Sequence, residues 1–113
     1  MGQTDLTASA RLTVHQATGG LPGAFGSGCV QLLQGVAEEH SLNRAAKRMG
    51  MAYSKAWRLV NEAEDQLGVK LLDRNGALGS TLTPEGERAM AAYRTLQRDI
   101  DELIARRMPE LFG

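Results

Sequence analysis

The feature that most constrains this chain is a pair of amphipathic segments that meet at Gly50. In the first segment Ser41 is a good N-cap, and Gly50 suits the left-handed turn that ends a helix. Its apolar residues follow the i, i+3, i+4, i+7 spacing of one helix face, at Leu42, Ala45, Ala46 and Met49. A longer helix is predicted over about 52–67, closed by Gly68, with a buried stripe of Ala56, Leu59, Val60, Ala63 and Leu67. A short helix, a tight turn with glycine and a longer helix form the helix-turn-helix pattern.

The flanking segments complete the predicted fold. Residues 11–15 alternate and read as a short strand with Leu12 and Val14 inward, and a first helix is predicted from an N-cap at Ser27 to about Glu39. Two β-type segments, 70–74 and 80–83, surround a glycine-containing tip. We therefore expect a mainly α fold with a small β-hairpin, which is a winged helix-turn-helix with an N-terminal strand and a long C-terminal helix.

The last helix is predicted to mediate pairing with a second copy of the chain. Thr83 and Pro84 suit its start, and we expect it to cover 85–107 and to be stopped by Pro109. Its apolar residues recur with the 4-3-4-3 spacing of a short coiled-coil seam, at Ala89, Tyr93, Leu96, Ile100 and Leu103. A homodimer gives this seam a place to be buried.

The length, cysteine content and charge of the chain limit its domain number, its compartment and its partners. The chain has 113 residues, which fits a disordered tail at 1–10 and one domain at 11–113. One cysteine, no signal peptide and no membrane-length apolar run favour a cytoplasmic protein. The net charge is zero, but five cations and no acid lie between Ser41 and Asn61, so one face is expected to be basic.

That basic face predicts binding to duplex DNA. Ser, Lys, Arg and Asn side chains can hydrogen-bond to base edges. Four side chains of these types lie on the outer face of the third helix. A solvated helix surface is the plain alternative for any one of these residues, and Trp57 is expected to pack beside the apolar stripe. Tyr53 can stack on a sugar or base, and Arg74 in the hairpin can touch the backbone or minor groove. The predicted DNA-binding residues are Arg44, Lys47, Arg48, Tyr53, Ser54, Lys55, Arg58, Asn61 and Arg74.

The sequence shows no residue pattern typical of a catalytic site. Cys29, His15 and His40 share no spacing typical of a metal or nucleophile site, and no glycine-rich phosphate loop is present. Cys29 is expected to be a packed thiol. The protein is therefore not expected to be an enzyme, and no cofactor or metal is predicted.

The stretch Gly50-Met51-Ala52-Tyr53-Ser54-Lys55-Ala56-Trp57 is the most specific of several that resemble the N-terminal domain of ModE-type molybdate-dependent transcriptional regulators. The Ala45-Ala46 pair and the Leu82–Gly86 turn are shared with LysR-type regulators. Other matching stretches are Gly26-Ser27-Gly28, Leu32-Leu33, Ser41–Met51 and Tyr93, so the resemblance covers roughly residues 11–105. The resemblance implies a dimeric winged helix whose third helix enters the major groove, with 71–82 as the wing.

The sequence departs from that family in three respects: the molybdate-binding domain, the wing and the cap of the third helix. No molybdate-binding domain follows in these 113 residues, so molybdate binding by this chain is not expected. The wing is short, and Ala52 stands where the family often has a capping serine. The leading hypothesis is a homodimeric, sequence-specific DNA-binding transcriptional regulator. The alternative is a winged-helix protein–protein interaction module that binds an acidic partner.

Overall fold

The computed structural model describes residues 6–113 and confirms the predicted fold class. The helices are α1 (Ser27–Glu39), α2 (Leu42–Arg48), α3 (Tyr53–Leu67) and α4 (Pro84–Phe112). Between α3 and α4, strands β1 (Leu72–Arg74) and β2 (Ser80–Leu82) form an antiparallel hairpin around a 3₁₀ turn at Gly76–Leu78. Half of the predicted disordered tail, residues 1–5, lies outside the described residues, and the domain boundary at 10/11 remains a prediction.

The core lies where α1, α2, α3 and the start of β1 meet. Its largest fully buried side chains are Phe25, Leu32, Leu33, Leu71, Leu72, Val36 and Val60. Gly35 on α1 faces Ala45 on α2, and a Cβ added at Gly35 would lie 2.7 Å from the Ala45 Cβ. Glycine at this position therefore lets the two helices approach closely.

The predicted strand at 11–15 is wrong in extent, because only one bridge forms, between Val14 and Phe25. Side chains of α4 bond to the backbone of Leu12 in place of a second strand. Leu12 N donates to Gln97 Oε1 at 2.9 Å, and Tyr93 Oη donates to Leu12 O at 2.8 Å. Leu12 and Val14 are partly buried against the core, as predicted.

The helix ends confirm some capping predictions and correct others. Ser41 caps α2 by accepting from Arg44 N at 3.1 Å, and Gly50 and Gly68 adopt the left-handed conformation. Ser27 is the first residue of α1 and not its cap: Gly26 occupies that position, and Ser27 Oγ accepts a bond from Arg11.

Helix α4 is longer than predicted. Thr83 caps it as expected, accepting from Gly86 N at 2.8 Å, but the helix continues through Pro109 to Phe112. Proline removes one backbone donor near the C-terminal end, while the next turn still closes with Gly113 N donating to Pro109 O at 3.1 Å. Pro109 therefore does not stop the helix.

The hairpin is held against the helices at both of its strands. Its register pairs Leu72 with Leu82, and Ser80 N donates to His40 O at 2.9 Å. Glu64 Oε2 on α3 accepts from Leu71 N at 2.8 Å. The wing is therefore anchored to the end of α1 and to α3. No helix in the part of the chain from 6 to 113 is long and apolar enough to cross a membrane.

Candidate nucleic-acid interface

The turn between α2 and α3 sets the angle at which α3 leaves the body. Met49 N and Met51 N both donate to Ala46 O, at 3.1 and 2.9 Å, and Gly50 has φ +66°. Glycine adopts that left-handed backbone conformation at no steric cost. The turn therefore directs the N-terminal end of α3 outward from the core.

The outer face of α3 carries the predicted base-reading side chains. Ser54, Lys55, Arg58 and Asn61 are all exposed, while Ala56, Val60 and Ala63 are buried on the opposite side. Among residues 6–113, the side chains of Ser54, Lys55 and Arg58 have no hydrogen-bond or ion-pair partner. They are available to an external ligand. Two predicted stripe residues, Leu59 and Leu67, are only partly buried.

The N-terminus of α3 has no side-chain cap, which agrees with the departure noted at Ala52. Ala52 O accepts from Lys55 N and Ala56 N, both at 3.1 Å. Within the described residues, the amides of Tyr53 and Ser54 have no such partner. A helix N-terminus with free amides presents positive potential to an anion such as a DNA phosphate.

The cations of α2 have different environments. Arg44 and Lys47 are exposed, and in the described part of the chain their side chains make no ion pair. Arg48 pairs with Glu38 at 2.7 Å and with Glu39 at 3.3 Å. The hydrogen bond from Arg48 lowers the pKa of Glu38. Arg48 therefore has carboxylate partners on α1, and its predicted phosphate contact would require exchanging them.

The wing contacts α3 through an aromatic side chain that the sequence predicts to pack beside the apolar stripe. Trp57 is partly buried, and the ring of Tyr53 packs edge-on against it with centroids 6.1 Å apart. The Arg74 guanidinium lies over the Trp57 ring, and Arg74 Nη2 donates to Asn61 Oδ1 at 3.4 Å. The sequence contained no signal for this contact, because it joins residues that are distant in the chain.

The predicted pairing residues of α4 divide into two groups. Tyr93 is only 5% exposed, and its ring packs edge-on against Phe25 with centroids 5.6 Å apart, so it belongs to the core of its own chain. Leu96 and Leu103 are 48% and 49% exposed. Ala89 and Ile100 are partly buried.

Two polar residues with clear structural roles were not predicted from the sequence. Gln66 is 7% exposed, and its Nε2 donates to Gly23 O at 2.7 Å while its Oε1 accepts from Gln16 N at 2.8 Å. Glu64 holds the start of the wing, although it lies in the acidic run 62–65, which is typical of a solvated surface. Neither side chain stands out by residue type or spacing.

Cys29 is a packed thiol, as predicted. It is 3% exposed, and burial raises its pKa to about 12. Such a thiol is a poor nucleophile because the thiolate is the reactive form. In the described range 6–113, no group of three His, Cys, Asp or Glu side chains is placed to hold a metal ion.

Comparison with known proteins agrees with this geometry. The molybdenum transport protein ModE of Azotobacter vinelandii is 32% identical over 91 residues, which cover 74% of this chain and 34% of that protein. The HTH-type transcriptional regulator PgrR of Escherichia coli K12 is 37% identical over 70 residues, 62% of this chain and 23% of that protein. This chain thus spans about a third or less of the length of these relatives.

A solved structure resembles most of the fold. It is a complex of BenM_DBD with catB site 1 DNA, matched with a TM-score of 0.56 and 25% identity over 73% of this chain and 89% of that chain. The family model for the bacterial regulatory helix-turn-helix protein, lysR family, matches residues 30–87, which run from α1 through the wing to the start of α4 and make up just over half of the chain. The chain therefore belongs to the lysR family of bacterial regulatory helix-turn-helix proteins.

Proposed function

We propose that this chain is a sequence-specific DNA-binding transcriptional regulator that inserts α3 into the major groove. The observation that carries the proposal is the outer face of α3, where Ser54, Lys55 and Arg58 are exposed and unpartnered within residues 6–113. They follow directly after an uncapped helix N-terminus. The DNA complex of the similar BenM_DBD chain supports the same use of the fold.

Each part of the surface has a distinct role in this proposal. Arg58 and Lys55 have the length and donors to reach guanine, and Ser54 can address either kind of base. The free amides at the start of α3, with Arg44 and Lys47 on α2, supply backbone phosphate contacts. The zero net charge fits this division, because acidic residues elsewhere offset the basic face and limit indiscriminate adhesion.

Pairing through α4 is part of the proposal. The helix has 29 residues and extends about 43 Å at 1.5 Å per residue, and residues 101–112 are exposed apart from Ile104 and Met108. Leu96, Ile100 and Leu103 follow one face of it, and two of them are about half exposed. Half-exposed leucines on one helix face stabilise a pair of helices when the second helix buries them. A two-fold dimer would place two α3 helices on half-sites about one turn of DNA, roughly 34 Å, apart.

The pairing is tested by sedimentation of a variant with a charge on this face. Leu103→Glu removes a half-exposed side chain without disturbing the core, and we expect it to sediment as a monomer that retains its helical circular dichroism. Arg98→Glu is the matched control, since Arg98 lies on the opposite face of α4 at 100° per residue. A wild-type monomer, or equal behaviour of both variants, would overturn the dimer.

A closer affiliation with ModE-type regulators is the finer part of the proposal. It is supported by the stretch 50–57 and by 32% and 34% identity to the ModE proteins of Azotobacter vinelandii and Herbaspirillum seropedicae. Regulators named for other functions match at similar identity. Equilibrium dialysis against labelled molybdate tests the associated expectation that this chain by itself binds none.

DNA binding is tested by titrating a pooled random duplex at two salt concentrations with three proteins. We expect wild type to bind, Arg58→Ala to bind more weakly, and Arg98→Ala to match wild type, because Arg98 lies on α4 away from the α3 surface. Each lost phosphate contact should also lower the slope of log K against log salt by about 0.9. An equal loss of DNA affinity in both variants, or no DNA binding by wild type at moderate salt, would favour the alternative of a protein–protein interaction module.

A further inference from the structure

Arg74 joins the wing to α3 through two different contacts. It is the last residue of β1, and its guanidinium carbon lies over the Trp57 ring. Its Nη2 atom donates to Asn61 Oδ1 at 3.4 Å. Trp57 and Asn61 are four residues apart, so they are neighbours on one face of α3. The two side chains together therefore hold one arginine from the wing.

We propose that Trp57 and Asn61 are positioning residues that fix Arg74 at the junction of α3 and the wing, where its guanidinium meets a backbone phosphate of the duplex. The inference rests on the proposed function. It assigns Trp57 to DNA binding through Arg74, and it gives Asn61 a task other than reading adenine.

The geometry leaves Arg74 able to bind a phosphate while it is held. A guanidinium has five N–H donors, and the attraction between its positive charge and the Trp57 ring is not a hydrogen bond to a lone pair. One donor bonds to Asn61, and within residues 6–113 Arg74 has no carboxylate partner. An open cleft of about 260 Å³ lies beside it, lined in part by Ser41, Tyr53 and Ser80. The remaining donors thus have room for an anion.

Asn61 is poorly placed to recognise adenine in this arrangement. Bidentate recognition of adenine uses both the oxygen and the nitrogen of the amide. Here the oxygen accepts from Arg74, which leaves only one of its two lone pairs for a base. The same bond restrains a long side chain that would otherwise lose conformational freedom when it binds DNA.

A double-mutant cycle on the full chain tests the inference, with a pooled random duplex as the probe. Arg74→Ala should weaken binding and lower the slope of log K against log salt by about 0.9 for each protomer bound. Trp57→Leu should weaken binding about fivefold, the effect expected for one exposed cation–π contact, while Trp57→Phe, which keeps an aromatic face, should bind close to wild type. In the Arg74→Ala background, Trp57→Leu should have no further effect, since Trp57 acts through Arg74.

Lys70→Ala is the matched control, next to the start of the wing. Lys70 is exposed, and in the described part of the chain its side chain makes no hydrogen bond or ion pair with α3, so its effect should add to that of Trp57→Leu. A second readout needs no DNA. The chain has one tryptophan, so fluorescence reports Trp57 alone, and Arg74→Ala should change its emission whereas Lys70→Ala should not.

The outcomes separate this inference from the proposed function. If wild type binds duplex but the effects of Trp57→Leu and Arg74→Ala add, Trp57 acts independently and only the inference fails. Unchanged fluorescence in folded Arg74→Ala would also overturn it. If wild type binds no duplex, the proposed function fails and the inference fails with it.

Discussion

Replacing Gly35 by alanine tests how closely α1 must pack on α2 to build the helix-turn-helix. The new Cβ would lie 2.7 Å from the Ala45 Cβ and 3.2 Å from its Cα. Carbon atoms prefer separations of about 3.5–4.0 Å, so the helices must move apart by up to about 1 Å. Overpacking of this kind costs about 1–3 kcal/mol, and the better helix propensity of alanine returns about 1 kcal/mol. We expect a net destabilisation of about 1 kcal/mol and a midpoint of thermal unfolding lower by roughly 5 °C.

The assay is urea and thermal unfolding followed by circular dichroism at one fixed protein concentration. Gly28→Ala is the matched control on α1, because a Cβ there has no neighbour within 4 Å, and it should be neutral or stabilising. Ala45→Gly should restore the Gly35→Ala variant nearly to wild type, since it removes the other half of the contact. If Gly35→Ala is as stable as Gly28→Ala, the packing argument is refuted.

Three further predictions concern the junction of the wing with α4 and the core thiol. Gly86→Ala should destabilise by at least about 2 kcal/mol in urea unfolding, because its Cβ would collide with the backbone oxygen of Leu71. Thr83→Val should cost about 1–2 kcal/mol in the same assay, since Thr83 both caps α4 and donates to Lys70 O at 2.6 Å. For Cys29, the pKa raised from 9.0 to about 12 means that its stabilising contribution is present below pH 9 and declines as the pH rises from 9 toward 12. Cys29→Ala should flatten that decline in unfolding experiments across this range, and a thiol reagent at pH 8 should label wild type only after unfolding.

The parts of the fold that the sequence predicted are those set by local chemistry. Ser41 and Thr83 cap helices, and Gly50 and Gly68 take left-handed turns, because each requirement is met within a few residues. The outer face of α3 followed from periodicity alone. These signals need no knowledge of which segments meet in space.

The features of the fold that the sequence did not predict depend on contacts between residues distant in the chain. The strand at 11–15 lacks a full partner because Gln97 and Tyr93 on α4 satisfy its backbone. The Arg74–Trp57 contact likewise joins the wing to α3. The sequence also predicts that Pro109 stops α4, and this is wrong because the loss of one donor in the last turn does not end a helix.

The central claim is that paired copies of α3 read a DNA sequence, and selection from a random duplex pool tests it most directly. The account predicts enrichment of a motif with two-fold symmetry and half-sites about one helical turn apart. The same selection with Arg58→Ala should lose preference at one position in each half-site and keep it at the others, while Arg98→Ala should recover the wild-type motif. Binding without any enriched motif, or a motif unchanged by Arg58→Ala, would contradict the account.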